Sequence, residues 1–119
     1  MAGVLVVEDR VPVLGTTQSI LGNAGYRISA ASTVDEALAT INSDERLDLL
    51  FSEIHLAGQA QAGLHLGKEF ARSRPGRPVL YTTFSPLTPG WLVMFVEPHA
   101  FISKPYTALE LLSAVWETC

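Results

Sequence analysis

Glu8 and Asp9 directly follow the apolar run Gly3 to Val7 (GVLVV), and Glu53 follows the run Leu47 to Ser52 (LDLLFS). Thr82 and Thr83 close the run Pro78 to Thr83 (PVLYTT), and Lys104-Pro105 come after Ala100 to Ser103 (AFIS). Each chemically capable group therefore stands at the carboxyl end of a short apolar run. If those runs are neighbouring parallel strands, three carboxylates, the hydroxyls and an ammonium converge on one sheet edge. Clustered carboxylates repel one another unless a cation intervenes. A hard divalent ion with oxygen donors, such as Mg²⁺, is the natural partner, and Lys104 is the alternative source of positive charge. A hydroxyl and an ammonium also suit the oxygens of a phosphoryl group. Singly, each residue has a plain explanation: Asp9 as a helix cap, Glu53 as a solvated loop residue, Lys104 as a neutralising charge. The signal is their joint placement.

The elements that must position these groups alternate along the chain. After the first strand, Pro12 suits a first helical turn. Leu14, Thr17, Leu21 and Ala24 then recur at helical spacing, with Gly25 as the stop. Tyr26 to Ala31 reads as a second strand. Thr33 and Glu36 make a capping-box pattern ahead of a helix whose stripe is Val34, Ala37, Leu38 and Ile41. A third helix is predicted over Gly63 to Ser73, with Leu64, Leu66, Phe70 and Ala71 inward. The stretch Thr88 to Val96 reads as a short fourth helix beginning among Pro86, Pro89 and Gly90. Thr107 and Glu110 form a second capping box. The last helix follows, with Leu109, Leu112 and Trp116 as its lining and Tyr106 placed to staple onto Leu111. Five strands alternating with five helices predict a flavodoxin-like, doubly wound parallel sheet of order 2-1-3-4-5, with the site beyond the strands' carboxyl ends.

Length and composition agree with one domain over residues 1–119. Of 119 residues, 48% are hydrophobic and 17% charged, enough to bury a core and inconsistent with disorder. The net charge of −4 comes with no Lys/Arg cluster, so nucleic acid is not an expected partner. The apolar runs are too short to cross a bilayer. The single cysteine, Cys119, forms no internal disulfide and suits a reducing compartment. A cytoplasmic location is expected.

With these motifs in register, the chain resembles a response-regulator receiver domain over essentially its full length. The resemblance aligns the family's acidic pair with Glu8 and Asp9, its switch hydroxyl with Thr83, its Lys-Pro with Lys104-Pro105, and its activation-reporting aromatic with Phe101. It puts the phosphoacceptor position on Glu53. It implies Mg²⁺ held by Glu8, Asp9, Glu53 and the backbone carbonyl of His55, a cis Lys104–Pro105 bond, and a histidine kinase or other signalling protein as partner. It also implies docking or homodimerisation through the face of helix four, strand five and helix five. There Trp91, Met94 and Phe95 are either interface residues or core.

Three features depart from the family pattern. Glu53 stands where an aspartate is usual, so its carboxylate reaches about 1.5 Å further, one C–C bond. Phe84 follows the switch hydroxyl where a small residue is usual. It either crowds the pocket or packs against Phe101 or the next loop. The loop from Leu56 to Ala62 is about two residues longer than the family pattern, which a tolerated surface insertion explains. His55, His65 and His99 fit no compact metal motif. The expected function is an atypical receiver in two-component signalling that works by protein contact rather than as an enzyme. A phosphorylation-competent, Mg²⁺-dependent receiver is the alternative. A flavodoxin-like cofactor binder is a third class, disfavoured by the acidic, glycine-free Glu8-Asp9-Arg10 turn.

Overall fold

The computed structural model describes residues 2–119. Its elements run β1 (Gly3–Val7), α1 (Val11–Asn23), β2 (Arg27–Ala31), α2 (Val34–Ile41), β3 (Leu49–Glu53), α3 (Ala62–Ser73), β4 (Val79–Thr83), α4 (Pro89–Leu92), β5 (His99–Ser103) and α5 (Ala108–Thr118). The strands form one parallel sheet of order β2-β1-β3-β4-β5. This is the flavodoxin-like order read from the sequence. The central strands β1, β3 and β4 are buried at every position. The edge strands β2 and β5 are only partly covered. Continuous apolar runs mark strands covered on both faces.

The pleat sorts side chains into two cores. Val4, Val6, Leu49, Phe51 and Leu80 face Leu14, Leu21, Leu111 and Val115 of α1 and α5. Leu5, Val7, Leu50, Val79 and Tyr81 face Ala37, Ile41, Leu64, Leu66 and Phe70 of α2 and α3. Because strand side chains alternate with period two, Glu8, Glu53 and Thr82 continue the α1/α5 face. Thr83 continues the other. The sheet thus decides which polar ends meet before any of them interact.

Several boundaries and faces differ from the expectations. β2 begins at Arg27 and β3 at Leu49. Ala24 is the exposed C-cap of α1, and Gly25 turns the chain with φ +99°. Ala71 is only partly covered. In α5 the buried residues are Leu111 and Val115, while Leu109 and Trp116 are exposed. Both stripes are apolar at helical spacing. The intact Thr107–Glu110 capping box fixes the entry, and Tyr106 packs on the core containing Leu111, so the 111/115 stripe meets the sheet. The Thr33 hydroxyl accepts the Glu36 N–H as expected. The Glu36 carboxylate, however, reaches the Ser32 N–H at 2.7 Å. Helix α4 is one turn, not the nine-residue segment read from the pattern. Thr88 caps it, Pro89 starts it, and the chain leaves the helix after Leu92. Beyond that turn, Phe95 is buried and stacks on Tyr81 at 4.2 Å, while Trp91 and Met94 pack partly against the same core. Only Leu92 and Val93 of this segment project as exposed large apolar groups.

Two contacts fix the ends of the sheet. At the amino edge, buried Asp48 accepts the Gly3 N–H at 2.8 Å and lies 3.4 Å from both Arg46 and Arg77. Burial works against its charge, but the Gly3 N–H and the two guanidinium groups outweigh it and hold the carboxyl below its usual range. A depressed carboxyl stabilises the fold above its unfolded pKa of about 3.9 and loses that contribution as pH falls through the folded value. Asp48→Asn is therefore expected to cost about 1–3 kcal/mol at neutral pH. Urea denaturation at stepped pH should show the two proteins converging only in acid.

At the carboxyl edge, α3 starts against β3. Gly63 N–H donates to the Ile54 carbonyl at 2.8 Å, and a Cβ at position 63 would overlap the Glu53 carbonyl oxygen. Backbone cannot yield as a side chain can. Gly63→Ala is expected to cost about 1–3 kcal/mol, read as a lowered Tm.

Candidate functional site

At the carboxyl edge, the Lys104 ammonium lies between two carboxylates. It donates to Glu53 Oε1 at 2.8 Å and to Glu8 Oε1 in a close ion pair. All three residues are buried. The remaining oxygens also have donors. Glu8 Oε2 accepts the Arg10 N–H at 3.1 Å, Glu53 Oε2 accepts the His55 N–H at 3.0 Å, and Asp9 Oδ2 accepts the Ala57 N–H at 2.9 Å. Ala57 reaches that position through a left-handed backbone, φ +46°. Lys104 is itself aligned by its backbone N–H on the Thr83 carbonyl, 3.1 Å, and the Lys104–Pro105 bond is cis, as the resemblance implied.

The charges respond to these surroundings. Burial pushes the Glu8 carboxyl above its usual range, against the opposing pull of Lys104 and the Arg10 N–H. Burial alone would lower the Lys104 ammonium, but its bonds to Glu53 and Glu8 carry it above the ordinary lysine value. Asp9 is held low: the Ala57 N–H and its polar neighbours outweigh the cost of burial.

Below this layer, Tyr106 OH pairs with Thr17 Oγ1 at 3.0 Å. Tyr106 also packs tilted on Phe51. Thr82, in register with Glu53, is buried with its hydroxyl unpartnered among the described residues. The Thr83 hydroxyl accepts the Ser85 N–H at 3.4 Å. Phe84 is half exposed and stands over the site. Its ring centroid lies 5.0 Å from the Arg10 guanidinium and 5.3 Å from the Lys104 ammonium. Of its two expected placements this is the one nearer the pocket mouth, and Phe101 stacks instead toward Phe95.

The family model of the response regulator receiver domain matches residues 4–116. The chain belongs to this family. Among its relatives, the nitrogen assimilation regulatory protein NtrX of Azorhizobium caulinodans is 30% identical over 110 residues. Those residues are 92% of this receiver and 24% of that protein, so the chain spans about a quarter of that relative's length. A receiver domain protein from Methanospirillum hungatei is 27% identical, with TM-score 0.85, over 98% of this chain and 92% of that one. A receiver protein from Sinorhizobium medicae superposes with TM-score 0.87 over 98% of this chain and 93% of that one, at 21% identity. The last likeness supports the fold alone. Membership places the domain in two-component signalling. Among the described residues, no helix is long and apolar enough to cross a membrane.

Receivers typically bind Mg²⁺, so the site must be tested for fit. Its donor set is oxygen-rich, but five of the six carboxylate oxygens already accept from a protein nitrogen. Lys104 stands between Glu8 and Glu53, and Asp9 is turned to the Ala57 N–H. Among the described residues, no three acidic, histidine or cysteine side chains are grouped so as to hold a metal ion. As arranged, the residues do not fit a divalent cation. Where the resemblance implied a Glu8–Asp9–Glu53 metal cage, the structure shows Glu8 and Glu53 closed on Lys104, with Asp9 beside Glu8 and bonded to the Ala57 N–H. His55 contributes its N–H to Glu53, and its ring rests on Trp91 at 4.9 Å. His65 lies exposed on α3, and His99 pairs with Glu97 at 2.9 Å.

Sequence reasoning missed Arg10 and Ala57. Arg10 had a signal, since it directly follows the acidic pair. Ala57 had none, because its role belongs to a backbone N–H placed by loop geometry.

Proposed function

We propose that this receiver is an atypical one, in which Glu53 occupies the phosphoacceptor position and its ion pair with Lys104 stands in for phosphorylation. The observation that carries this reading is the 2.8 Å bond from Lys104 Nζ to Glu53 Oε1 inside a buried site. In-line phosphoryl transfer tolerates little misplacement, and an error of about 1 Å can cost on the order of a hundredfold. Glu53 carries its carboxylate beyond the aspartate position and directly onto the lysine. Phe84 narrows the approach from above. The imitation of a phosphoryl group is partial. Glutamate offers one charge and two oxygens, and the Thr83 hydroxyl is turned to Ser85.

The domain then signals through protein contact, without turnover of its own. Its partner is a histidine kinase or another signalling protein. The exposed Leu92, Val93 and Leu109 favour the α4–β5–α5 face for that contact or for self-association. Incubation of the wild-type domain with a small-molecule phosphodonor and Mg²⁺, followed by intact mass measurement, tests the reading. No stable phosphorylated species is expected. A stable one would establish a phosphorylation-competent receiver instead.

A further inference from the structure

We infer that Lys104 serves as the resident cation of this acidic edge, so that the domain holds its carboxylates together without a divalent metal. Five of the six carboxylate oxygens of Glu8, Asp9 and Glu53 receive a nitrogen donor from the protein. Two of those five share the one ammonium, whose side chain is 2% exposed. A metal ion taking both glutamates would have to push that ammonium aside and compete with the N–H donors on Glu8, Glu53 and Asp9. The displaced Lys104 would then need a new partner in a space already occupied. Phe84 lies over it, and its backbone is fixed to Thr83.

The extra carbon of Glu53 makes this possible. It carries the carboxylate to the ammonium that Glu8 also binds, so one positive charge bridges two negative ones. Asp9, the third carboxylate, finds its donor in the left-handed turn at Ala57. Each of the three carboxylates thus has a donor from the protein without any added ion. This inference concerns the cation, and its readouts are separate from phosphoryl labelling. Metal binding without label would overturn it and leave the proposed function standing.

The test uses the wild-type domain, with Mg²⁺ as a thermal-shift ligand and Mn²⁺ as a paramagnetic NMR probe. A ligand that binds only the native state raises Tm as its concentration passes its Kd. At about 10 mM Mg²⁺ the Tm is expected to match a control of equal ionic strength. Mn²⁺ is expected to spare the amides of residues 8–10 and 53–57 relative to exposed acidic positions. A Mg²⁺-specific rise in Tm, or selective broadening of those amides, would overturn the inference. In Lys104→Met the resident charge is gone, and Mg²⁺ should now raise Tm or restore folding. A Lys104→Met protein that is indifferent to Mg²⁺, or that stays unfolded at every Mg²⁺ concentration, would count equally against it.

Discussion

Replacing Lys104 by methionine is expected to destabilise the domain by about 3–5 kcal/mol, because removing one partner of a buried ion pair leaves uncompensated charge. Methionine fills much of the same volume, so the loss is chiefly electrostatic. Glu8 and Glu53 are 3% and 5% exposed and would face each other with no cation between them. Urea denaturation should show a lower midpoint with little change in slope, the mark of altered stability rather than altered compactness. Glu53→Gln makes the informative contrast. It removes one charge but leaves Lys104 paired with Glu8, so a smaller loss, about 1–2 kcal/mol, is expected. The sign with pH is also fixed. The Lys104 pKa is raised in the fold. Its contribution is therefore full below the unfolded value of about 10.4 and fades as pH rises through the folded one. The gap between wild type and Lys104→Met should hold at neutral pH, narrow in strong alkali as Lys104 loses its proton, and narrow in acid as the Glu8 carboxyl gains one.

Glu53→Asp is expected to convert the domain into a phosphoacceptor. The shorter arm withdraws the carboxylate by about 1.5 Å, away from the Lys104 ammonium that now holds it at 2.8 Å. That change frees one oxygen for attack and opens the acidic edge to Mg²⁺. A gain of about a hundredfold in labelling by a small phosphodonor follows from the cost of misplacing the nucleophile. Intact mass against time, with and without Mg²⁺, measures it. If a folded Glu53→Asp takes no label, Glu53 is not the sole obstacle. The next change is then Phe84→Ala, which removes the ring 5.3 Å from Lys104.

The fold was legible because strand burial writes itself into composition. GVLVV is apolar throughout, PVLYTT turns polar only toward its end, and their strands are covered on both faces. The polar ends of those runs then had only one edge on which to meet. What stayed hidden depended on choices between near-equivalent local solutions. In α5, two apolar stripes compete, and the cap at Thr107 selects the one containing Leu111 and Val115. In the segment after Thr88, the apolar spacing continues past Leu92 although the helix does not. Phe95 reaches Tyr81 from an irregular backbone rather than from a helical turn. At the site, residue types were readable but the pairing was not. That Asp9 accepts a backbone N–H depends on the left-handed conformation of Ala57. Nothing in an alanine announces that conformation.

The coupling energy between Glu53 and Lys104 tests the central claim most directly. A double-mutant cycle of Glu53→Gln, Lys104→Met and the combined variant, each measured by urea denaturation at neutral pH, isolates it. If Glu53 is held by Lys104 as the structure has it, the single losses will fail to add, with a coupling on the order of 2 kcal/mol. Additive losses would mean that the two side chains ignore each other in solution, and the reading of Glu53 as a carboxylate held by lysine would be wrong.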